Sequence, residues 1–302
     1  MAFFSSLTRT ARAVLNPTAA STSAALDALL QLELSRELGR LQDETRLLTP
    51  GNPAAHGFKV YSQADEDGIV ERICDQLGLA TGSVAEIGCG DGRENNSHHL
   101  LLKGWRGIWI DGDASNIRAI RKAVPVSSRL RVVKAIVTRD NVVDLVRPES
   151  DALGAPLDIF SIDVDGNDLP IAQAAINALS PALVIGEYNA KFRFPMIAAI
   201  AYESQHRWRH DDYHGASLAA WVHGLAPAYQ LVCCNLAGTN AFFVRGDLAD
   251  RFPAHAPERL YQPARFHLTA LRSGHAPSLS FLKDALARDT QSGLESTPHE
   301  TG

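Results

Sequence analysis

Several residue groups in this 302-residue chain have the types and spacing to do chemistry. The first is the run Gly88-Cys89-Gly90-Asp91-Gly92, which ends an apolar stretch carrying Glu86. Glycines at the carboxyl end of a strand let the backbone approach a ligand closely. A dinucleotide pyrophosphate site needs a third glycine for close helix packing; with Gly88 and Gly90 as the first two, that position is Arg93. A nicotinamide oxidoreductase is disfavoured on that ground. An acid such as Glu86 is ill suited to phosphate and well suited to the cationic group of an amino acid. Asp111 ends the next apolar stretch about twenty residues on, where a carboxylate accepts bonds from both ribose hydroxyls. Together these residues point to an adenosine bearing an amino-acid tail and no phosphate, which is S-adenosylmethionine.

A second group is acidic. Asp163, Asp165 and Asp168 lie in SIDVDGND, and Glu187 and Asn189 lie in GEYNAKF. Clustered carboxylates repel, so they call for a cation, a shared proton or a polar substrate. Asp168 reads as a helix cap with Asn167 shaping the turn, a role that leaves Asp163, Asp165 and Glu187 unaccounted for. The histidines His206, His210 and His214 are spaced by four, but HDDYHGAS reads as a turn, so a zinc-binding helix face is not expected. His214 reads either as a general base or as a histidine that pins a loop. His98 and His99 read as helix surface. Phe192, Phe194, Tyr202 and Trp208 either stack on a sugar ring or form a small core of their own.

The elements that position these groups follow from the hydrophobic pattern. Strands are expected at 83–88, 107–111, 131–137, 157–163 and 182–187, with helices near 96–103, 114–123, 140–146 and 168–179. Strands alternating with helices argue for a parallel sheet covered on both faces. An insertion, 188–215, precedes a helix at 216–225 and two strands, 229–234 and 240–245, whose short link at Gly238 demands an antiparallel pair. The expected fold is α/β: a doubly wound, mostly parallel, seven-stranded Rossmann-like sheet with its last strand antiparallel, preceded by an N-terminal helical extension. Residues 23–48 are amphipathic, with Leu30, Leu34, Leu38, Leu41 and Leu48 on one stripe, which suits either a dimer arm or packing on the chain's own core. Residues 1–26, with Arg9, Arg12 and no acid, read as a transit-like segment or as a frayed, membrane-skimming helix. Residues 49–53 form a linker, and 286–302 read as disordered.

Composition excludes several classes. Hydrophobic residues make up 45% and charged residues 21%, which supports a sizeable core rather than wholesale disorder. A net charge of −5 lacks the basic face of a general nucleic-acid binder. No apolar run reaches the ~20 residues of a membrane span. Cys74, Cys89, Cys233 and Cys234 lack zinc-site spacing and a disulfide framework, which suits a reducing, cytoplasmic setting.

Five segments, YSQADEDGIV (61–70), AEIGCGDGRENNS (85–97), GWRGIWIDGD (104–113), FSIDVDGND (160–168) and GTNAFFVR (238–245), resemble the FkbM-like class I S-adenosylmethionine-dependent methyltransferases over residues 58–246. The resemblance implies a methyltransferase domain at 56–250, between an extension and linker (1–55) and a C-terminal tail (251–302). It also implies that Glu86, Gly88, Gly90 and Asp91 hold the methionine part, Asp111 the ribose, and Ala135 and Ile136 the adenine, with Asp163 beside the cofactor. Gln63 and Asp67 would close over the cofactor or serve as surface or capping residues. IDxD with an acid before Tyr also resembles magnesium-dependent sugar O-methyltransferases, which implies Asp163 and Glu187 as ligands of Mg2+ and Asp165 as base. Gly186 stands where those enzymes carry a second Asp, so Asn189 or waters would complete the metal shell. The expected activity is O-methylation of a hydroxyl on a carbohydrate or glycan-linked small-molecule acceptor. N-methylation stays open, as does a non-catalytic S-adenosylmethionine-binding assembly protein that dimerises through its N-terminal helix.

Overall fold

A computed structural model describes residues 17–295. The expectations for residues 1–16 and for the final stretch 296–302 lie outside the described residues.

Seven strands form one sheet: β1 (Ser83–Ile87), β2 (Arg106–Asp111), β3 (Leu130–Lys134), β4 (Ile159–Ile162), β5 (Leu183–Glu187), β6 (Tyr229–Cys234) and β7 (Asn240–Arg245). Their spatial order is β3-β2-β1-β4-β5-β7-β6. The first five are parallel, and β7 runs antiparallel between β5 and β6. The reversed strand is therefore inserted inside the sheet, and β6 forms the edge. β1 and β4 are buried along their whole length, as strands covered by helices on both faces must be. Because the chain leaves β1 for β2 on one side and later returns to β4 on the other, a crevice opens at their carboxyl ends.

The helices are α1 (Pro17–Leu48), α2 (Glu66–Leu77), α3 (His98–Leu102), α4 (Ala114–Ala123), α5 (Val142–Leu153), α6 (Asp168–Leu179), α7 (Leu218–Leu225), α8 (Pro257–Leu260) and α9 (Ser280–Glu295). α4 starts where Asp113 accepts the Ser115 N–H, a side-chain cap. α5 was expected to stop near 146; it runs through Pro148 to Leu153, with Val142, Val146 and Leu153 on the core, and ends at left-handed Gly154. α2 had no counterpart among the expected helices, although Ile69, Val70, Ile73, Cys74 and Leu77 have helical spacing and all five are buried.

α1 packs on the chain's own core. Leu34 and Leu41 join the cluster containing Ile69 and Ile73, while Leu30 and Leu48, expected on the same stripe, are exposed. Arg272 pairs with Asp27, and the Gln31 side chain donates to the Ala270 carbonyl, clasping the helix from the C-terminal side. The disorder expected from 286 onward is corrected over 286–295, which are helical in α9. Leu282 and Leu286 are buried among Leu101, Ile117 and Ile120, and that burial stabilises the helix. The four cysteines are buried and free. No helix among the described residues is long and apolar enough to cross a membrane.

Candidate functional site

The glycine run turns sharply after β1. Gly88, Gly90 and Gly92 all lie at positive φ (82°, 56° and 78°), a region open to glycine at no steric cost. A side chain on Gly88 would meet the backbone of Asp163, and one on Gly92 would come within 2.6 Å of the Trp109 ring. The Gly90 N–H donates to Asp111 Oδ2 (2.9 Å), while Asp111 Oδ1 accepts the Asp113 N–H (2.7 Å). Asp111 is thus fixed to the glycine loop.

Glu86 lies beneath this loop, 5% exposed. It accepts the N–H groups of Asn96 (2.7 Å) and Ser97 (2.9 Å) and the Ser97 hydroxyl. Burial pushes its carboxyl up to about 7 from 4.5, against the opposing pull of those bonds. Glu86 thus holds the turn that leads into α3, and the first helical N–H, that of His98, goes to Asn95 Oδ1 (2.9 Å).

His98 is fully buried, in place of the surface position expected for it. Its Nδ1 lies 2.8 Å from the Gly92 carbonyl, and its ring stacks on Tyr61 at 3.6 Å between centroids. Desolvation lowers its pKa to about 4, so it is neutral. His99 is half-buried, with Nε2 2.9 Å from Glu71. Asp67 also proves structural. Its Oδ2 gathers the N–H groups of Val60, Tyr61 and Ser62 and the Ser62 hydroxyl, while Gln63 points to solvent.

A cleft of about 430 Å³ opens at the carboxyl ends of β1 to β4. Of the residues singled out in the sequence, Gly88, Gly90, Asp111, Ala135, Ile136, Asp163, Asp165, Asn167 and His206 line it. Glu86 and Asp91 do not: the first faces the core below the loop, and the second is half-exposed and paired with Arg93 at 2.8 Å. Sequence reasoning missed Asn116, whose amide reaches Asp111 (3.3 Å), and Ser204, and it weighed His206 only as part of a zinc face; the insertion brings Ser204 and His206 over the cleft. An adjoining recess of about 440 Å³ continues it past Asp113 toward Arg207.

At the inner end of the cleft, Asp163, Asp165 and Glu187 each present an oxygen within 4.8 Å of the others. Asp165 holds φ at 56°, a strained backbone for a non-glycine residue and one found at functional sites. The Asp163 and Glu187 carboxyls are raised above the usual range. For Glu187 partial burial is the main cause and the neighbouring aspartates add to it; Asp163 itself remains exposed, and surrounding protein together with the charges of Asp168 and Asp165 raises it. Asp168 serves the loop rather than its helix, accepting the N–H groups of Val164 (2.8 Å) and Gly166 (2.9 Å). Asn189 is tied to the insertion. Its buried amide donates to the carbonyls of Asp212 and His214, and its oxygen accepts the Lys191 N–H. Gly186 cannot carry an acid as the chain stands, because a Cβ there would lie 2.6 Å from Trp221 Cζ2.

The insertion contains no helix across 201–215, so His206, His210 and His214 do not share a face. Among the described residues, the three acids are the one group with metal-holding geometry. The insertion is tied down over the β4–α6 loop. Asn167 donates to the Glu203 carbonyl (2.7 Å), the Arg139 guanidinium lies 4.1 Å over the Tyr202 ring, and His206 rests against Gly166. His206 rather than His214 therefore reaches the cleft. His214 lines a separate small pocket, where burial lowers its pKa while Asp165 opposes the shift most strongly. Trp208 packs on the rings of His210 and His214 within the insertion, whereas Phe194 packs on the main core.

No family model and no curated protein matches this chain. It is similar in structure to a glycopeptide N-methyltransferase, MtfA, complexed with sinefungin (13% identity, 60% of this chain and 87% of that one, TM-score 0.35). It is also similar to a methyltransferase of calicheamicin biosynthesis in its SAH-bound form (18%, 59% and 56%, TM-score 0.29). A third is the carbon methyltransferase CurJ (13%, 77% and 70%, TM-score 0.37). The function therefore rests on the residues of the cleft.

Proposed function

We propose that the protein is an S-adenosylmethionine-dependent methyltransferase of the FkbM-like kind, acting on a hydroxyl of a carbohydrate or glycan-linked acceptor. The observation that carries the proposal is the pairing of Glu86 with Asp111. Glu86 sets a buried acid beneath the glycine loop, a setting ill suited to phosphate, while Asp111 stands at the end of β2, fixed to the Gly90 N–H. That combination suits adenosine without phosphate. In this reading Gly88 and Gly90 let the backbone meet the methionine part, Asp111 takes the ribose hydroxyls, and Ala135 and Ile136 flank the adenine.

Methyl transfer is an in-line displacement. The acceptor oxygen forms its bond to the methyl carbon as the carbon–sulfur bond breaks, the proton leaves the oxygen, and S-adenosylhomocysteine departs. The sulfonium is already a good leaving group, so alignment and a base suffice. Asp165 is the proposed base. Asp163 and Glu187 would hold a hard divalent ion such as Mg2+, which would favour the ionised form of a bound hydroxyl; the three convergent carboxylates fit such an ion. The same acids suit an ammonium, so N-methylation is the second reading.

Calorimetric titration with S-adenosylhomocysteine tests the proposal. Wild type binds saturably and ignores NAD, and Asp111→Ala loses roughly a hundredfold in affinity, as expected for two hydrogen bonds to a charged group. Folded wild type that binds NAD, or fails to bind S-adenosylhomocysteine, overturns it.

A further inference from the structure

The insertion holds a second, smaller pocket of about 200 Å³ that shares no lining residue with the cofactor cleft. Two of its walls are joined to the acidic cluster. Asn189 stands two residues beyond Glu187, and its amide holds the carbonyls of Asp212 and His214 in the pocket rim. Ile200 lies against the residue after Asp165: a methyl group on Gly166 would come 3.3 Å from Ile200 Cδ1. The pocket is therefore linked to the acidic cluster through Asn189, next but one to Glu187, and through Ile200 against Gly166. Its walls are mainly apolar, with Phe192, Ala198, Ala199, Ile200 and Tyr213, and His214 is the imidazole among them.

We infer that this pocket receives the acceptor, and that the acceptor carries a compact apolar ring next to its hydroxyl- or amine-bearing part. The inference rests on the methyltransferase reading and narrows it. At about 200 Å³ the space suits one six-membered ring and lies below the roughly 300–1,000 Å³ of pockets that enclose drug-sized ligands. Its surface gives a bare sugar few polar partners, whereas an apolar ring buried there leaves the polar part of the same molecule at Asp165 and Glu187.

The test uses full-length protein saturated with S-adenosylhomocysteine and two probes that differ only in the apolar group, phenyl β-glucoside and methyl β-glucoside. Saturation-transfer NMR and titration read the binding of each. Wild type binds the phenyl compound at least about tenfold more tightly. Ala199→Trp, which fills the pocket, abolishes that preference and leaves S-adenosylhomocysteine affinity unchanged. Ala198→Phe repeats the test from the neighbouring position should the first variant fold poorly. Glucosides that bind alike, or not at all, overturn the inference, as does a phenyl preference that survives both substitutions. Loss of the methyltransferase reading itself shows separately, as failure of the wild type to bind S-adenosylhomocysteine.

Discussion

Gly186→Ala is a small substitution with a large expected effect. A methyl group at 186 would lie 2.6 Å from Trp221 Cζ2 and 2.9 Å from Cζ3, well inside van der Waals contact. The indole cannot easily retreat: it is fully buried, it stacks on Phe243 at 5.8 Å, and its Nε1 donates to the Glu187 carbonyl at 2.9 Å. Overpacking of that kind costs about 2–3 kcal/mol. Trp221→Phe removes the clashing ring atoms, and alone it costs roughly 2 kcal/mol through the space left and the unpaired carbonyl. In the Phe background the extra methyl has room, so Gly186→Ala costs less than about 0.5 kcal/mol and the pair couples by about 2 kcal/mol. Urea unfolding of the four proteins measures the cycle. Strict additivity, or a Gly186→Ala protein as stable as wild type, would refute the packing reason for the missing acid at this position.

Two further predictions concern the acids. Glu86 is raised from 4.5 to about 7, so between those values the folded protein keeps a proton that the unfolded chain releases. Its contribution to stability therefore falls as pH rises, by roughly 3 kcal/mol between pH 4.5 and 8. Glu86→Gln lacks that dependence, so the stability difference between wild type and variant shrinks with rising pH; a difference that stays constant contradicts the assignment. Asp165→Asn keeps a residue type that tolerates left-handed backbone and removes one charge from the cluster. It raises Tm at pH 8 by about 2–4 °C and abolishes methyl transfer, whereas an unchanged or lower Tm means that the three carboxylates do not repel one another.

The sheet was legible because its strands are short apolar runs separated by helical patterns of ordinary length. The ends of α4, α6, β6 and β7 fall where the sequence places them. α2 carried its signal in Ile69, Val70, Ile73 and Leu77, yet it precedes the strand alternation that organised the rest. What sequence could not reveal depended on contacts between distant segments. The burial of His98 comes from Tyr61 stacking on it, and the choice of His206 over His214 comes from where a loop lands on Gly166. The fate of Asn189 follows from carbonyls at 212 and 214 that only the folded insertion brings near. Asp163, Asp165 and Glu187 were legible as a group because parallel strands must place their carboxyl ends together. The absence of a fourth acid becomes intelligible once Trp221 is seen against Gly186.

The central claim is that the crevice beyond β1 to β4 binds adenosine with an amino-acid tail. Hydrogen–deuterium exchange with and without S-adenosylhomocysteine tests it most directly. Bound ligand is expected to slow exchange at 88–92, 111–116 and 135–137, together with the 203–207 stretch of the insertion, and to leave the edge strand β6 unchanged. Protection confined to other segments, or no protection by a ligand at saturating concentration, would contradict it.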